Sequence, residues 1–227
     1  MQRRTDTLIT RINKQVQLPY LLFIPVSQVH SPWALLLFLH GSGERGTDFV
    51  RLTERGLPKE LAAGRNIPFL VAAPQCPPDT IWSVHLDALM TLIQHLQEHY
   101  PIDPTRISVT GMSMGGTGTW HLAVTHPNRF AAIAPVCGDN VWYVGDTTHI
   151  CAIRHLPVWA FHGAQDTIIP VDVSQVLVDA LQKCGGNARL TIYHDVGHNC
   201  WNQAYATPEL YAWLSDQQAK EDPPERK

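Results

Sequence analysis

The sequence predicts a single-domain α/β fold, a mostly parallel sheet flanked by helices on both faces. Short apolar runs alternate with longer segments of helical period along the chain. These runs are apolar at nearly every position, as strands covered on both faces must be. A length of 227 residues, 44% hydrophobic and 16% charged, suits one packed domain spanning 1–227.

Taken in order, residues 1–15 read as an N-terminal extension or an edge strand. Gln17–Ile24 and Ala34–Leu39 read as strands, the second running straight into His40-Gly41-Ser42-Gly43, a tight turn. Leu57–Ala63 reads as a short helix and Phe69–Ala73 as a buried strand closed by Pro74. Val84–Tyr100 is a helix, because Leu86, Leu89, Leu92, Ile93 and Leu96 share one face; Pro101 and Pro104 stop it. Ile107–Thr110, Ala131–Val136, Val158–Phe161 and Leu190–Tyr193 are strands. Ser113–Thr125, Val171–Lys183 and Pro208–Leu214 are helices, with Gly185-Gly186 just past the second. Residues 217–227 are polar and expected to fray. Gly138–Leu156 has no clear period and leaves little room for a large lid, so an open site is expected.

The net charge of -3 offers no basic footprint for nucleic acid. The densest apolar run, Trp33–Leu39, is far shorter than a membrane span, which needs about 20 residues. The first residues carry charge with no apolar core behind them, so no secretory leader is read and a cytoplasmic location is expected. The five cysteines, Cys76, Cys137, Cys151, Cys184 and Cys200, are odd in number and lack C-x-x-C spacing. Free thiols are expected, with Cys137–Cys151 as one pair able to bridge. A homodimer is compatible with the sequence.

The chemistry starts at Gly111-Met112-Ser113-Met114-Gly115, a G-x-S-x-G between a strand and a helix. That context is what a nucleophile elbow requires: the glycines admit a sharp turn, and the serine sits at a helix N-terminus. A serine hydroxyl needs a base. His198 follows the last strand, in Asp195-Val196-Gly197-His198-Asn199, and Asp166 follows the strand Val158–Phe161. The order serine, acid, histidine matches α/β hydrolases. Asp139 and Asp146 are rival acids, because they follow the preceding strand; Asp195 is a weaker one, since it shares a loop with His198. The oxyanion donors are expected to be the Met114 N–H and the Ser42 N–H, with Gly43 as second choice.

These residues together resemble the α/β-hydrolase superfamily, and within it the phospholipase/carboxylesterase-like group that includes esterases called predicted peptidases. The resemblance is carried by His40–Gly46, by Pro74–Pro77 with Trp82, and by Gly111–Gly116 with Thr119-Trp120. It continues through His162–Pro170 and Gly197–Trp201 and covers roughly residues 16–215. It implies hydrolysis of carboxylic esters, small acyl or aryl esters first, with Ser113, His198 and Asp166 as the triad. A peptidase or thioesterase would use the same triad; a non-catalytic relative would be expected to have lost a member of it.

Trp82 and Trp201 are candidates for the walls of a substrate pocket or for core. Glu44 and Arg45 are expected to fix the oxyanion loop by pairing, and His40 to orient that loop. His95 and His99, four apart on a helix, could face one metal, but no third ligand is apparent and a solvated face is the simpler reading. No residue pattern implies a metal or cofactor, and the expected partner is a small-molecule ester.

Overall fold

A computed structural model of the chain describes residues 15–26, 32–139 and 147–219. Residues 1–14, 27–31, 140–146 and 220–227 lie outside the described residues, and with them Asp146, much of the Gly138–Leu156 connection and the end of the tail.

Seven strands form one sheet in the order β1-β3-β2-β4-β5-β6-β7. They are β1 (Tyr20–Phe23), β2 (Trp33–Leu39), β3 (Phe69–Pro74), β4 (Ile102–Met112), β5 (Ala132–Val136), β6 (Val158–Gly163) and β7 (Ala188–Tyr193). All neighbours are parallel except β1, which runs antiparallel to β3 at the edge. The unbroken apolar run of β2 explains the layering. Leu35, Leu37 and Leu39 pack into the core on one face, while Ala34, Leu36 and Phe38 pack into the core on the other.

The first face is covered by α3 (Leu86–His99), α4 (Met114–Thr125) and α5 (Val171–Lys183). In α3, Leu89, Leu92, Ile93 and Leu96 are buried at helical spacing. The second face is covered by α2 (Gly56–Ala62), α6 (Trp201–Ala206) and α7 (Pro208–Ser215), through Leu57, Ala204, Tyr205, Leu210 and Leu214. A short α1 (Phe49–Leu52) follows the turn after β2, capped by the Asp48 side chain.

The differences from expectation are local. β4 begins at Ile102 rather than Ile107; its register breaks between Trp33 and Leu35, and Asp103 Oδ1 accepts from Thr105 N at 2.9 Å in a side-chain-closed turn. α1 and α6 carry too little apolar periodicity to be read. Ala219 N donates to Thr105 O at 2.7 Å, so the described part of the expected frayed tail is tied down. The free-thiol expectation is corrected: Cys151 and Cys184 form a disulfide, while Cys76, Cys137 and Cys200 are free and buried. Cys151 lies in a 3-10 segment, Thr148–Ile153, and Cys184 ends α5, so sequence spacing alone did not reveal the pair.

The register sets the site. Leu39 pairs with Gly111, Met112 with Val136, Val136 with Phe161, and Gly163 with Tyr193. The carboxyl ends of β2, β4, β5, β6 and β7 therefore finish along one edge, where their loops meet.

Candidate active site

At the end of β4 the chain reverses through Ser113, at φ 53 and ψ -118, a conformation rare for a residue with a side chain. Its N–H donates to Val136 O at 2.9 Å, and its carbonyl accepts from Thr117 N at 3.0 Å as α4 begins. The flanking glycines are required by close approach. A Cβ on Gly115 would overlap the Leu39 carbonyl, and one on Gly111 would lie 2.7 Å from Leu39 O. The turn therefore holds Ser113 rigidly at the sheet edge, at the positive end of α4.

His198 reaches Ser113 from the loop after β7. Its Nε2 lies 2.8 Å from Ser113 Oγ, and its Nδ1 lies 2.7 Å from Asp166 Oδ2. This network requires the tautomer in which Nδ1–H donates to Asp166 and Nε2 accepts from the serine hydroxyl. Two contacts hold the loops together: Ala164 N donates to Tyr193 O and Gln165 N to Val196 O, each at 2.9 Å. Gly163 sits where a Cβ would overlap the Val196 and Gly197 carbonyls.

Asp166 is buried. Burial alone would raise its carboxyl, but hydrogen bonds from His198, Ile169 N and Ile168 N outweigh it and hold the carboxyl below its ordinary range. Both backbone donors reach Oδ1 at 2.9 Å. The rival Asp139 is placed elsewhere: its Oδ1 accepts from Thr117 Oγ1 at 2.6 Å. Asp195 is exposed.

The loop after β2 lies beside the serine. A Cβ built on Gly41 stands 3.7 Å from Ser113 Cβ, and Ser42 and Gly43 are exposed. His40 organises this loop. Its Nδ1 lies 2.6 Å from Gly41 O, its Nε2 accepts from Cys76 N at 2.9 Å, and its carbonyl accepts from Trp82 Nε1 at 2.9 Å. Burial pushes the His40 imidazole down to about 4, so it stays neutral. Gln75 Nε2 donates to Glu44 O and Asp48 O, both at 2.9 Å. The expected pairing of Glu44 with Arg45 is corrected. Glu44 pairs with Arg55 at 3.2 Å, while Arg45 Nε donates to Ser42 O at 2.9 Å and Nη1 to Thr80 O at 3.1 Å. On α4, the Met114 N–H falls in the first turn, where no intrahelical acceptor exists.

Trp82 takes the core alternative. It backs a cavity beside the site and is itself 0% exposed. Trp201 opens α6 and meets the His198 ring edge-on at 5.6 Å, steadying it.

Two participants were missed. His162 Nε2 lies 3.2 Å from Asp166 Oδ2 and 2.9 Å from Ile169 O, while its Nδ1 faces Ser174 Oγ at 2.8 Å. The His-Gly-x-x-Asp spacing was the available signal. Cys137 is the other: its thiol shares a space with donor atoms of Asp166 and His198, all within 4.8 Å of one another. As metal ligands these fit poorly, since His198 and Asp166 already satisfy each other and burial raises the Cys137 thiol. The His95 and His99 rings lie 4.1 Å apart and tilted by 38°, with His99 Nδ1 2.8 Å from His95 O.

The chain is similar to several known proteins. A family model described as phospholipase/carboxylesterase matches residues 81–207. A Salmonella typhimurium protein provisionally named carboxymethylenebutenolidase is 33% identical over 107 residues, 42% of this chain and 37% of its own length. A bifunctional acetylxylan esterase/xylanase of Neocallimastix patriciarum is 32% identical over 91 residues, 40% of this chain and 12% of its own. The chain thus spans little more than a third, or less, of these relatives. The crystal structure of a thermostable esterase superimposes with a TM-score of 0.74 at 34% identity, covering 89% of this chain and 60% of that one.

Proposed function

The chain belongs to the phospholipase/carboxylesterase family, and on that premise we propose that it hydrolyses carboxylic esters through an acyl-enzyme on Ser113. One observation carries the reading: the continuous hydrogen-bonded chain from Ser113 Oγ through His198 to a buried, ionised Asp166.

In this reading His198 Nε2 takes the Ser113 proton as Oγ attacks the ester carbonyl, and Asp166 stabilises the imidazolium. The Met114 and Ser42 N–H groups receive the oxyanion. His198 then gives the proton to the leaving alcohol. Water, activated by His198, releases the acid and restores Ser113. Short acyl and aryl esters are the expected substrates, small molecules rather than lipids or nucleic acid. No helix among the described residues is long and apolar enough to cross a membrane. Free thiols would have supported the cytoplasmic expectation. With Cys151 and Cys184 paired that support falls away, since disulfides persist in oxidising surroundings.

The test is labelling with a fluorophosphonate, alongside turnover of p-nitrophenyl acetate. Ser113→Ala is expected to lose both, with kcat down by on the order of 10⁴–10⁶. A folded Ser113→Ala protein that still labels overturns the assignment.

A further inference from the structure

A cavity of about 470 Å³ opens beside Ser113, and its lining is uneven. Ile81, Met114 and Ile169 supply apolar walls, while Ser83, Thr117 and Asp139 supply the polar groups; no lysine or arginine is among the described lining residues. Met114 and Ile169 place the cavity at the reacting centre. Met114 follows the nucleophile, and Ile169 N holds Asp166.

The polar groups differ in what they can still do. Ser83 Oγ is engaged with His121 Nδ1 at 2.5 Å. The Thr117 hydroxyl is spent on Asp139 Oδ1 at 2.6 Å, and it accepts from Asp139 N at 3.1 Å. That reciprocal pair locks the Asp139 carboxylate in place. A carboxylate has two oxygens and about four acceptor sites. Oδ2 makes no hydrogen bond among the described residues, so a fixed carboxylate acceptor is left beside the apolar side chains of Ile81, Met114 and Ile169.

Resting on the esterase reading, we propose that this cavity binds one arm of the ester and that Asp139 selects its chemistry. It favours an apolar arm carrying a neutral hydroxyl donor, and it disfavours an arm carrying a carboxylate. A donor on the arm satisfies Oδ2. An anion there meets a like charge, with no lysine or arginine among the described lining residues to offset it. Asp139 is thus a specificity residue, not the triad acid.

Two ester series test this. One is methyl 3-phenylpropanoate with hydrogen, hydroxyl or carboxylate at the para position. The other is 2-phenylethyl acetate with the same three groups. The readout is the ratio of kcat/KM within each series, for the wild type and Asp139→Asn; ratios cancel any general damage from the substitution. In the series whose variable arm enters the cavity, the hydroxyl ester is expected to exceed the parent about tenfold, as a hydrogen bond to a charged group implies. The carboxylate ester is expected to fall below the parent by about tenfold or more. Asp139→Asn brings both ratios to within about twofold of unity. If Asp139→Asn does not fold, Ile169→Trp serves instead, since the larger ring fills the cavity. It is expected to depress that series at least about tenfold relative to methyl acetate.

Flat ratios in both wild-type series, ratios unmoved in Asp139→Asn, or no selective loss in Ile169→Trp each overturn the assignment while leaving ester hydrolysis standing. A wild type that hydrolyses no ester overturns the esterase reading and this inference together.

Discussion

Asp166 Oδ2 is shared between two imidazoles, 2.7 Å from His198 Nδ1 and 3.2 Å from His162 Nε2. The first histidine is a reactant in the proposed mechanism, and the second is fully buried behind it. The carboxylate therefore fixes the His198 ring from a position that is itself braced on its far side.

Asp166→Asn is expected to lower kcat by roughly 10²–10⁴-fold with little change in KM. The amide keeps the shape but removes the charge that stabilises the imidazolium, and it can turn an N–H toward His198 Nδ1, which favours the wrong tautomer. Steady-state kinetics on p-nitrophenyl acetate checks this. A near-normal kcat would mean that another acid serves His198.

Gly115→Ala is expected to cost about 3 kcal/mol of stability or more, beyond the usual range for overpacking. The added methyl would meet the Leu39 carbonyl, which is backbone and held in the sheet. Urea unfolding measures the loss. A variant as stable as the wild type would show that β2 and α4 do not approach as described.

His40 predicts an acid-sensitive fold. The folded chain resists protonation of this imidazole down to about 4, whereas its ordinary value is 6.5. Between those values the unfolded chain binds a proton that the folded chain does not. The stability from His40 is thus complete above 6.5 and is lost as pH falls toward 4, by about 2 kcal/mol on reaching about pH 5. Glu44 acts in the opposite sense, since burial raises its carboxyl and the folded chain takes up that proton first. Urea unfolding of the wild type and His40→Gln at about pH 7 and about pH 5 separates the two. The wild type should lose more than the variant; equal losses would clear His40.

The disulfide joins residues separated by 33 positions. Closing a loop of that length in the unfolded chain is worth about 3–4 kcal/mol in the chain-entropy account. Cys151→Ser is expected to lose that much, and a reductant should then have no further effect on the variant. Mass spectrometry after alkylation under denaturing, non-reducing conditions should count three free thiols, the number left free among the five cysteines. Five would return the chain to the free-thiol expectation.

The sequence made the sheet class legible because parallel strands buried on both faces leave no polar positions, as in Trp33–Leu39. It made Ser113, Asp166 and His198 legible as candidates because each follows a strand, and strands in register end together. Contacts made across the fold were not legible. The partner of Glu44 proved to be Arg55, and that of Cys151 proved to be Cys184. Asp139 could be ranked as a rival acid from its place after β5, but only its bond to Thr117 separates it from His198. Nor did composition mark α6, whose Asn202 and Gln203 give it a polar look while Ala204 and Tyr205 bury its inner side.

The register of the strand ends also sets an order of events when the chain refolds. Ser113 and His198 are 85 residues apart, and Asp166 and His198 are 32 apart. The histidine reaches both only after β7 has docked on β6 at the margin of the sheet. Pairings between distant parallel strands form slowly, because loop closure must come before the contacts that reward it. Helix content recovered from denaturant therefore precedes recovered turnover, and turnover reports the arrival of the outermost strand rather than the collapse of the core.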